Sequence, residues 1–321
     1  MPAVTLTRKD RTVKKTPLQQ ALTTLSLCAL VGATLLSTGD AWANRYDIQL
    51  RGLGRPTSDA ANDPANNRFR LLTSELALAL SSRPLQPAET LGVSGFEFFV
   101  GTGHANISIN ESYWQGQPGA PIFEGAIRDR KLPEVLWTPS IHVRKGLPLS
   151  TEIGIQGTYL AFSDIFMVGA DAKIALHESY WRWVPSVALR GAASTLFGTS
   201  DFVITTAEAD VVISIPLGIN DMVRVDPYLA VGLMFMDATS DVIDATPYDT
   251  REQGGGNEPG NRGSLYTYRR MKLADNSFKR IAAGLHVQAG FVKLIYELDV
   301  GIINLNNKQL NSHVFQIGFD A

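Results

Sequence analysis

Phe166-Met167-Val168-Gly169-Ala170-Asp171-Ala172-Lys173-Ile174-Ala175-Leu176-His177 is the stretch whose reading decides the fold of this chain. Phe166, Val168, Ala170, Ala172, Ile174 and Leu176 share one parity, while Asp171, Lys173 and His177 share the other. Successive side chains of a β-strand point to opposite faces, so the segment has one face for lipid and one for water. In a soluble sheet the apolar parity would meet a packed core. Here ionic residues keep recurring on the opposite parity of long strands, from Gly95 to Phe319, and a polar barrel lumen accounts for that. The expected fold is all-β: an antiparallel transmembrane β-barrel of about ten strands, with roughly eight to twelve compatible with the pattern.

Outward from that stretch, the same alternation marks ten candidate strands at about 94–107, 134–145, 149–161, 165–177, 184–196, 203–215, 223–237, 278–289, 292–304 and 312–319. The connections at 108–133 and 238–277 are long and the one at 305–311 is intermediate, and all three follow odd-numbered strands. Connections after even strands, including Gly146-Leu147-Pro148, Leu217 to Asp221 and Gly290-Phe291, are short. Bacterial barrels keep short periplasmic turns and long outer loops, so odd strands run outward and the C-terminus returns to the periplasm.

Two segments precede the barrel, which is expected over 94–321. Residues 1–43 read as a cleaved signal peptide: Arg8, Lys9, Arg11, Lys14 and Lys15 are basic, Ala21 to Leu36 are apolar, and Ala41-Trp42-Ala43 fits small-x-small cleavage. An uncleaved signal anchor is the alternative. The expected address is the cell outer membrane. Cys28, the only cysteine, would leave with the signal, so the mature chain would form no disulfide. The same cut changes Lys plus Arg against Asp plus Glu from 29 against 31 to 24 against 29. A mildly acidic chain without clustered basic residues excludes nucleic acid as a partner. Residues 44–93 read as a periplasmic or lumen-plugging segment, turn-rich at Gly52-Leu53-Gly54-Arg55-Pro56 and Asp59 to Asn67. Within it, Leu71, Leu72, Leu76, Leu78 and Leu80 suit an amphipathic helix or a first strand.

The two parities separate chemically. Lipid-facing candidates include Ile153, Ile155, Tyr159, Ile281, Ala283, Leu285, Val287, Leu294, Tyr296, Leu298 and Val300. Lumen-facing candidates are His142, Arg144, Glu152, Asp171, Lys173, Arg190, Glu208, Asp210, Arg224, Asp226, Arg280, His286, Lys293, Glu297 and Asp299. This mixture of acids and bases suits a salt-bridge network filling a narrow barrel, or a conducting polar pore.

His313-Val314-Phe315-Gln316-Ile317-Gly318-Phe319 resembles the C-terminal signature of Gram-negative outer-membrane barrels, although Asp320 and Ala321 overhang its final aromatic residue. That resemblance implies outer-membrane lipids and the barrel assembly machinery as partners. Gly52-Leu53-Gly54-Arg55 with Ala60-Ala61-Asn62-Asp63-Pro64-Ala65-Asn66 is similar to the plug-proximal region of the outer-membrane fatty-acid and hydrocarbon transporter family, in a scrambled order. This second resemblance tilts the expected cargo toward an apolar solute.

Candidate chemistry is sparse. His104 and His313 fall on the outward parity of the first and last strands and are placed to meet at the closing seam, where Ser108 or Ser312 would be the nucleophile of a lipid-modifying hydrolase. No third triad member or oxyanion donor is identifiable. His142 with Arg144, and His286 with Gln288, read as hydrogen-bonded lumen filler or a gate. Asp237, Asp241 and Asp244 match no regular calcium loop. Gly254-Gly255-Gly256 lacks the Lys-Ser or Lys-Thr of a phosphate loop, so no cofactor and no metal is expected. Trp137, Tyr159, Phe166, Trp181, Trp183, Tyr228 and Phe235 sit near strand ends, where aromatic girdles form. Tyr113-Trp114, Phe123, Tyr248, Tyr266 and Tyr268 belong to outer loops, as a recognition surface or packed against one another. The expected function is a non-enzymatic outer-membrane barrel for passive transport, or a narrow pore, for a small solute. A surface-binding barrel acting through its long loops is the alternative, and the hydrolase is the second.

Overall fold

Alternation closes into a ring in the computed structural model, which describes residues 46–117, 120–123, 134–178, 184–219, 223–244, 265–303 and 308–320. The expected signal, Trp181, Trp183, Tyr248 and Gly254 to Gly256 lie outside the described residues. Ten long strands form the wall: β1 Phe96–Asn106, β2 Val135–Leu147, β3 Thr151–Tyr159, β4 Phe166–His177, β5 Ser186–Phe197, β6 Phe202–Ser214, β7 Val223–Ser240, β8 Ser277–Ala289, β9 Val292–Ile303 and β10 Lys308–Asp320. Each pairs antiparallel with its sequence neighbours, and β10 returns beside β1 with Val100 opposite Ile317, leaving no edge in the ring. The short strand Leu217–Ile219 pairs along β7.

Registers keep the apolar parity outside all the way round. Val100, Ile141, Ile153, Ile155, Val168, Leu189, Val211, Val231, Ile281, Tyr296 and Ile317 are exposed on the outer wall. Ala283, Leu285 and Leu294 join them, while Val287, Leu298 and Val300 are half-buried. A closed wall satisfies its backbone groups internally, which a bilayer core requires. Among the described residues no helix is long and apolar enough to cross a membrane.

Three features depart from the sequence reading. The connection expected at 305–311 shortens, because Lys308, Gln309 and Leu310 already pair with Ile303, Ile302 and Gly301. β7 continues to Ser240, since Thr239 and Ser240 still face Val203 and Phe202 of β6. Tyr228 belongs to no girdle: it is buried inside, on the parity of Asp226, lying across Gly284 on β8. A Cβ on Gly284 would come within 2.1 Å of that ring, so the glycine makes room for it. Trp137, Tyr159 and Phe166 stay exposed at the long-loop rim, and Phe166 stacks on Phe197.

The leucine run before the barrel is a helix. α1, Pro64–Leu80, begins at Asp63, whose carboxylate accepts from the backbone of Ala65 and Asn66, and Pro64 takes the first helical position. Pro84 stands just beyond its end. Leu72, Leu76 and Leu78 of α1 share one apolar core with Leu50, Leu53, Trp114 and Phe123. Inward residues at strand ends complete that core: Ala105, Leu136, Met167, Ile204, Met236, Phe278, Ile303 and Leu310. All of these ends border the outer connections, so α1 lies across the barrel at the long-loop end.

Candidate functional site

Beyond α1 the chain has nowhere to run except down the lumen, and residues 81–90 form an extended strap through it. A backbone in a water-poor interior needs a partner for each polar group, and the strap obtains them from the wall. Its carbonyls accept from wall cations: Ser82 O from Arg280 (2.7 Å), Pro84 O from Arg144 (2.6 Å), and Pro87 O and Glu89 O from Lys173 (3.0 and 2.9 Å). Its N–H groups donate to wall acceptors, Arg83 to Gln156 (3.1 Å), Leu85 to Glu297 (2.8 Å) and Ala88 to Ser214 (2.9 Å), while Thr90 donates to Glu178 just past the end of β4 (2.8 Å). Pro84 and Pro87 have no N–H to satisfy. Leu85, at φ 47° in the left-handed region, seats its side chain among Phe99, Ile295 and Val314.

Around the strap the wall charges pair with one another. Arg144 reaches Glu152 (3.0 Å) and His142 (3.0 Å), and His142 meets Asp171 (3.2 Å). Arg190 bonds Asp210 (2.6 Å) and Ser82 Oγ of the strap. Arg280 spans Asp299 (2.8 Å) and Glu208 (3.0 Å), and His286 meets Asp226 (2.9 Å). Lys293 pairs with Glu97, and Tyr228 donates to Glu297 at 2.8 Å. Fourteen of the fifteen lumen candidates are therefore buried inside, and Arg224 is the exception. It sits half-exposed near the start of β7, bonded to Asp226 and Glu89.

Sequence reasoning missed Ser82, Arg83, Gln156, Glu97 and Tyr228. Glu97 and Tyr228 were visible by parity, sharing faces with Phe99 and with Asp226. For the strap, the spacing of Pro84 and Pro87 was the one local signal.

A second buried site holds the outer cap. Glu75 of α1 accepts from Tyr113 OH (2.7 Å), Trp114 Nε1 (2.6 Å) and Ser108 N (3.0 Å), tying α1 to the short helix α2, Ser112–Gln115. Burial, with Glu75 beside it, pushes the Tyr113 phenol well above its ordinary pKa. Tyr113, Trp114, Phe123 and Tyr268 are interior residues of this cap, so the outer-loop aromatics pack inward rather than outward. Tyr268 stacks on Phe69 of α1 at 4.9 Å, and Tyr266 packs edge-on against it. Gly52 has a physical reason: a Cβ there would stand 2.7 Å from Ala120 O.

His104 and His313 do face each other across the β1–β10 seam, on the lipid side. Tyr296 OH bonds His313 Nδ1 at 2.9 Å. Neither serine joins them. Ser312 is buried on the opposite face beside Asp299, and the Ser108 backbone is bonded to Glu75. Asp237 forms an ion pair with Arg270 at 3.0 Å, and among the described residues no cluster of His, Cys, Asp and Glu is arranged to hold a metal.

Two carboxylates outside the wall carry a pH consequence. Just past the end of β4, Glu178 accepts from Thr90 and from Ser150 (2.8 Å). Burial alone would raise its pKa, but these donors and Lys173 hold it below the ordinary range. Asp63 is likewise held low, chiefly by the Thr57 hydroxyl and then by backbone N–H groups. A carboxyl depressed on folding stabilises above its unfolded pKa, about 4, and that stability is lost as pH falls through the folded value. Hydrogen exchange of residues 57–66 and 88–91, corrected for intrinsic rate, should therefore stay constant from neutral pH to about 5 and rise only below about 4. A rise beginning near neutrality would contradict this.

A closed antiparallel ring with an apolar outside and an ionic, occupied inside defines a transmembrane β-barrel of the class found in bacterial outer membranes. No protein-family model matches the sequence, and no curated protein matches it. Among solved structures, it is similar to the attachment invasion locus protein Ail of Yersinia pestis in complex with a heparin analogue, at 10% identity and TM-score 0.26, covering 71% of this chain and 99% of that one. It is also similar to Neisserial surface protein A, at 11% identity and TM-score 0.26, covering 71% of this chain and 95% of that one. The N-terminal β-barrel domain of Pseudomonas aeruginosa OprF gives 14% identity and TM-score 0.27, covering 72% and 99%. These likenesses concern the barrel fold alone.

Proposed function

We propose that this chain is an integral outer-membrane barrel kept closed by its own N-terminal segment and acting at its outer end, through the cap and the two long connections. The observation that carries this reading is the strap: four of its carbonyls and three of its N–H groups are bonded by lumen residues, and a fourth N–H by Glu178 past the end of β4. Charges committed to holding a segment are not free to line a solute path. In planar bilayers the intact protein should show no steady conductance, whereas a variant lacking residues 46–90 should conduct. A steady open channel in the intact protein would refute closure.

Passive passage of a small solute is the second reading. It is favoured by a cavity of about 550 Å³ at the periplasmic mouth, lined by Glu89, Pro216, Val223, Arg224, Gln288 and Gly290. Since Glu89 belongs to the strap, movement of the strap would extend that cavity inward. Brief openings in the intact protein that vanish when the strap is cross-linked to the wall would support it.

A further inference from the structure

We infer that the barrel carries its own N-terminal segment across the membrane, so that residues from Tyr46 to Asp63 stand at the outer face. The inference rests on the reading of an outer-membrane barrel with its long connections outward, and it is independent of whether the lumen conducts.

The strap's partners descend the wall in order. Leu78 lies against Gly301, close to the outer end of β9, and Ser82 lies against Gly169 and Gln156 at mid-height. Gln86 reaches Glu97 near the start of β1, Thr90 reaches Glu178 beyond the end of β4, and Gly92 touches Gly146 at the periplasmic turn. The chain thus enters at one mouth and leaves at the other before β1 begins.

Its earlier residues stay with the outer mouth. Tyr46 N bonds Phe162 O in the β3–β4 turn, Gln49 N bonds Ile122 O, and Leu50 N bonds Asp201 in the β5–β6 turn. Tyr268 of the long β7–β8 connection donates to Leu50 O and Gly54 O, both at 2.8 Å.

A helix with its side chains is about 10–12 Å wide, too wide to slide through a lumen already occupied by Arg144, Arg190 and Arg280. Closure of the wall around a segment already in place, where the first and last strands β1 and β10 meet, accounts for this arrangement. This gives the barrel a task of its own: delivery of its N-terminal portion to the cell surface.

Single cysteines at the two ends of the strap test this, with Cys28 changed to serine and folding first checked by heat-modifiable gel mobility. Asn62→Cys lies in the exposed loop before α1, Val93→Cys in the exposed turn before β1, and Leu265→Cys reports the long connection. Ala60→Cys serves as a second position beside Asn62. A membrane-impermeant maleimide applied to intact cells should label N62C as extensively as L265C. V93C should label only after the outer membrane is permeabilised. If L265C labels but N62C and A60C stay protected, the threading is overturned while the orientation stands. If V93C labels on intact cells and L265C does not, the orientation fails and the inference fails with it.

Discussion

Replacing Glu75 with alanine should release the outer cap while leaving the barrel wall closed. The carboxylate is buried and receives three donors, from Tyr113, Trp114 and Ser108. Hydrogen bonds to a charged group contribute about 1.5–3 kcal/mol each, and a buried donor left unmet costs about 1–3 kcal/mol. These terms are not additive, yet even one or two of them amount to about 3 kcal/mol, a large part of the stability of an ordinary domain. The expected result is rapid protease cleavage between residues 46 and 80, with heat-modifiable mobility retained. Glu75→Gln should fall between, since it keeps the shape but loses one acceptor oxygen. Cleavage no faster than in the unaltered protein would show that the cap is held by apolar packing alone.

Replacing Arg280 with methionine should destabilise the wall and strap together. Its guanidinium joins Asp299, Glu208 and the Ser82 carbonyl, and all of these groups lie inside. Removing one partner of a buried ion pair leaves an uncompensated charge and typically costs about 3–5 kcal/mol. Here one change takes the shared cation from two carboxylates, leaving Asp299 with Arg83 at 3.9 Å and Glu208 with Arg190 at 3.4 Å. The temperature at which the barrel unfolds in gel-mobility assays should drop sharply. Arg280→Lys should recover only part of the loss, because a point charge cannot span the fork. Adding Asp299→Asn to the methionine variant should restore some stability, a non-additive rescue that a cavity effect alone would not produce. The exposed Arg270–Asp237 pair offers a contrast: breaking it should change stability by about 1 kcal/mol or less. Equal effects at the two sites would contradict the assignment of the lumen network.

Much of the wall was legible locally. Strand positions and the inward set followed from a period of two, because every residue of a strand declares its face by its parity. The errors fall where that rule loses force. Tyr228 was placed in a girdle by ring chemistry and distance to the strand end, although Asp226 two residues before it already shared its parity. Arg224 kept the correct parity but stood too near the mouth to be enclosed. The outer-loop aromatics Tyr113, Trp114 and Tyr268 carried no periodic signal, since a loop has no repeat to fix a face.

Beyond the spacing of Pro84 and Pro87, the strap was not legible from its own residues. Ser81-Ser82-Arg83-Pro84-Leu85-Gln86-Pro87 has neither helical nor strand periodicity and reads as loop. Its conformation is set by partners on β1 to β6, β8 and β9, up to 212 residues away. Likewise the mixture of acids and bases on the inner parity favoured a filled barrel over a water-lined pore without saying what fills it. Sequence alone determined that a greasy-outside, ionic-inside cylinder forms, because alternation acts residue by residue. Only the tertiary structure decided what those ions hold, because a charge's partner depends on which distant backbone group the closed wall brings within hydrogen-bonding reach.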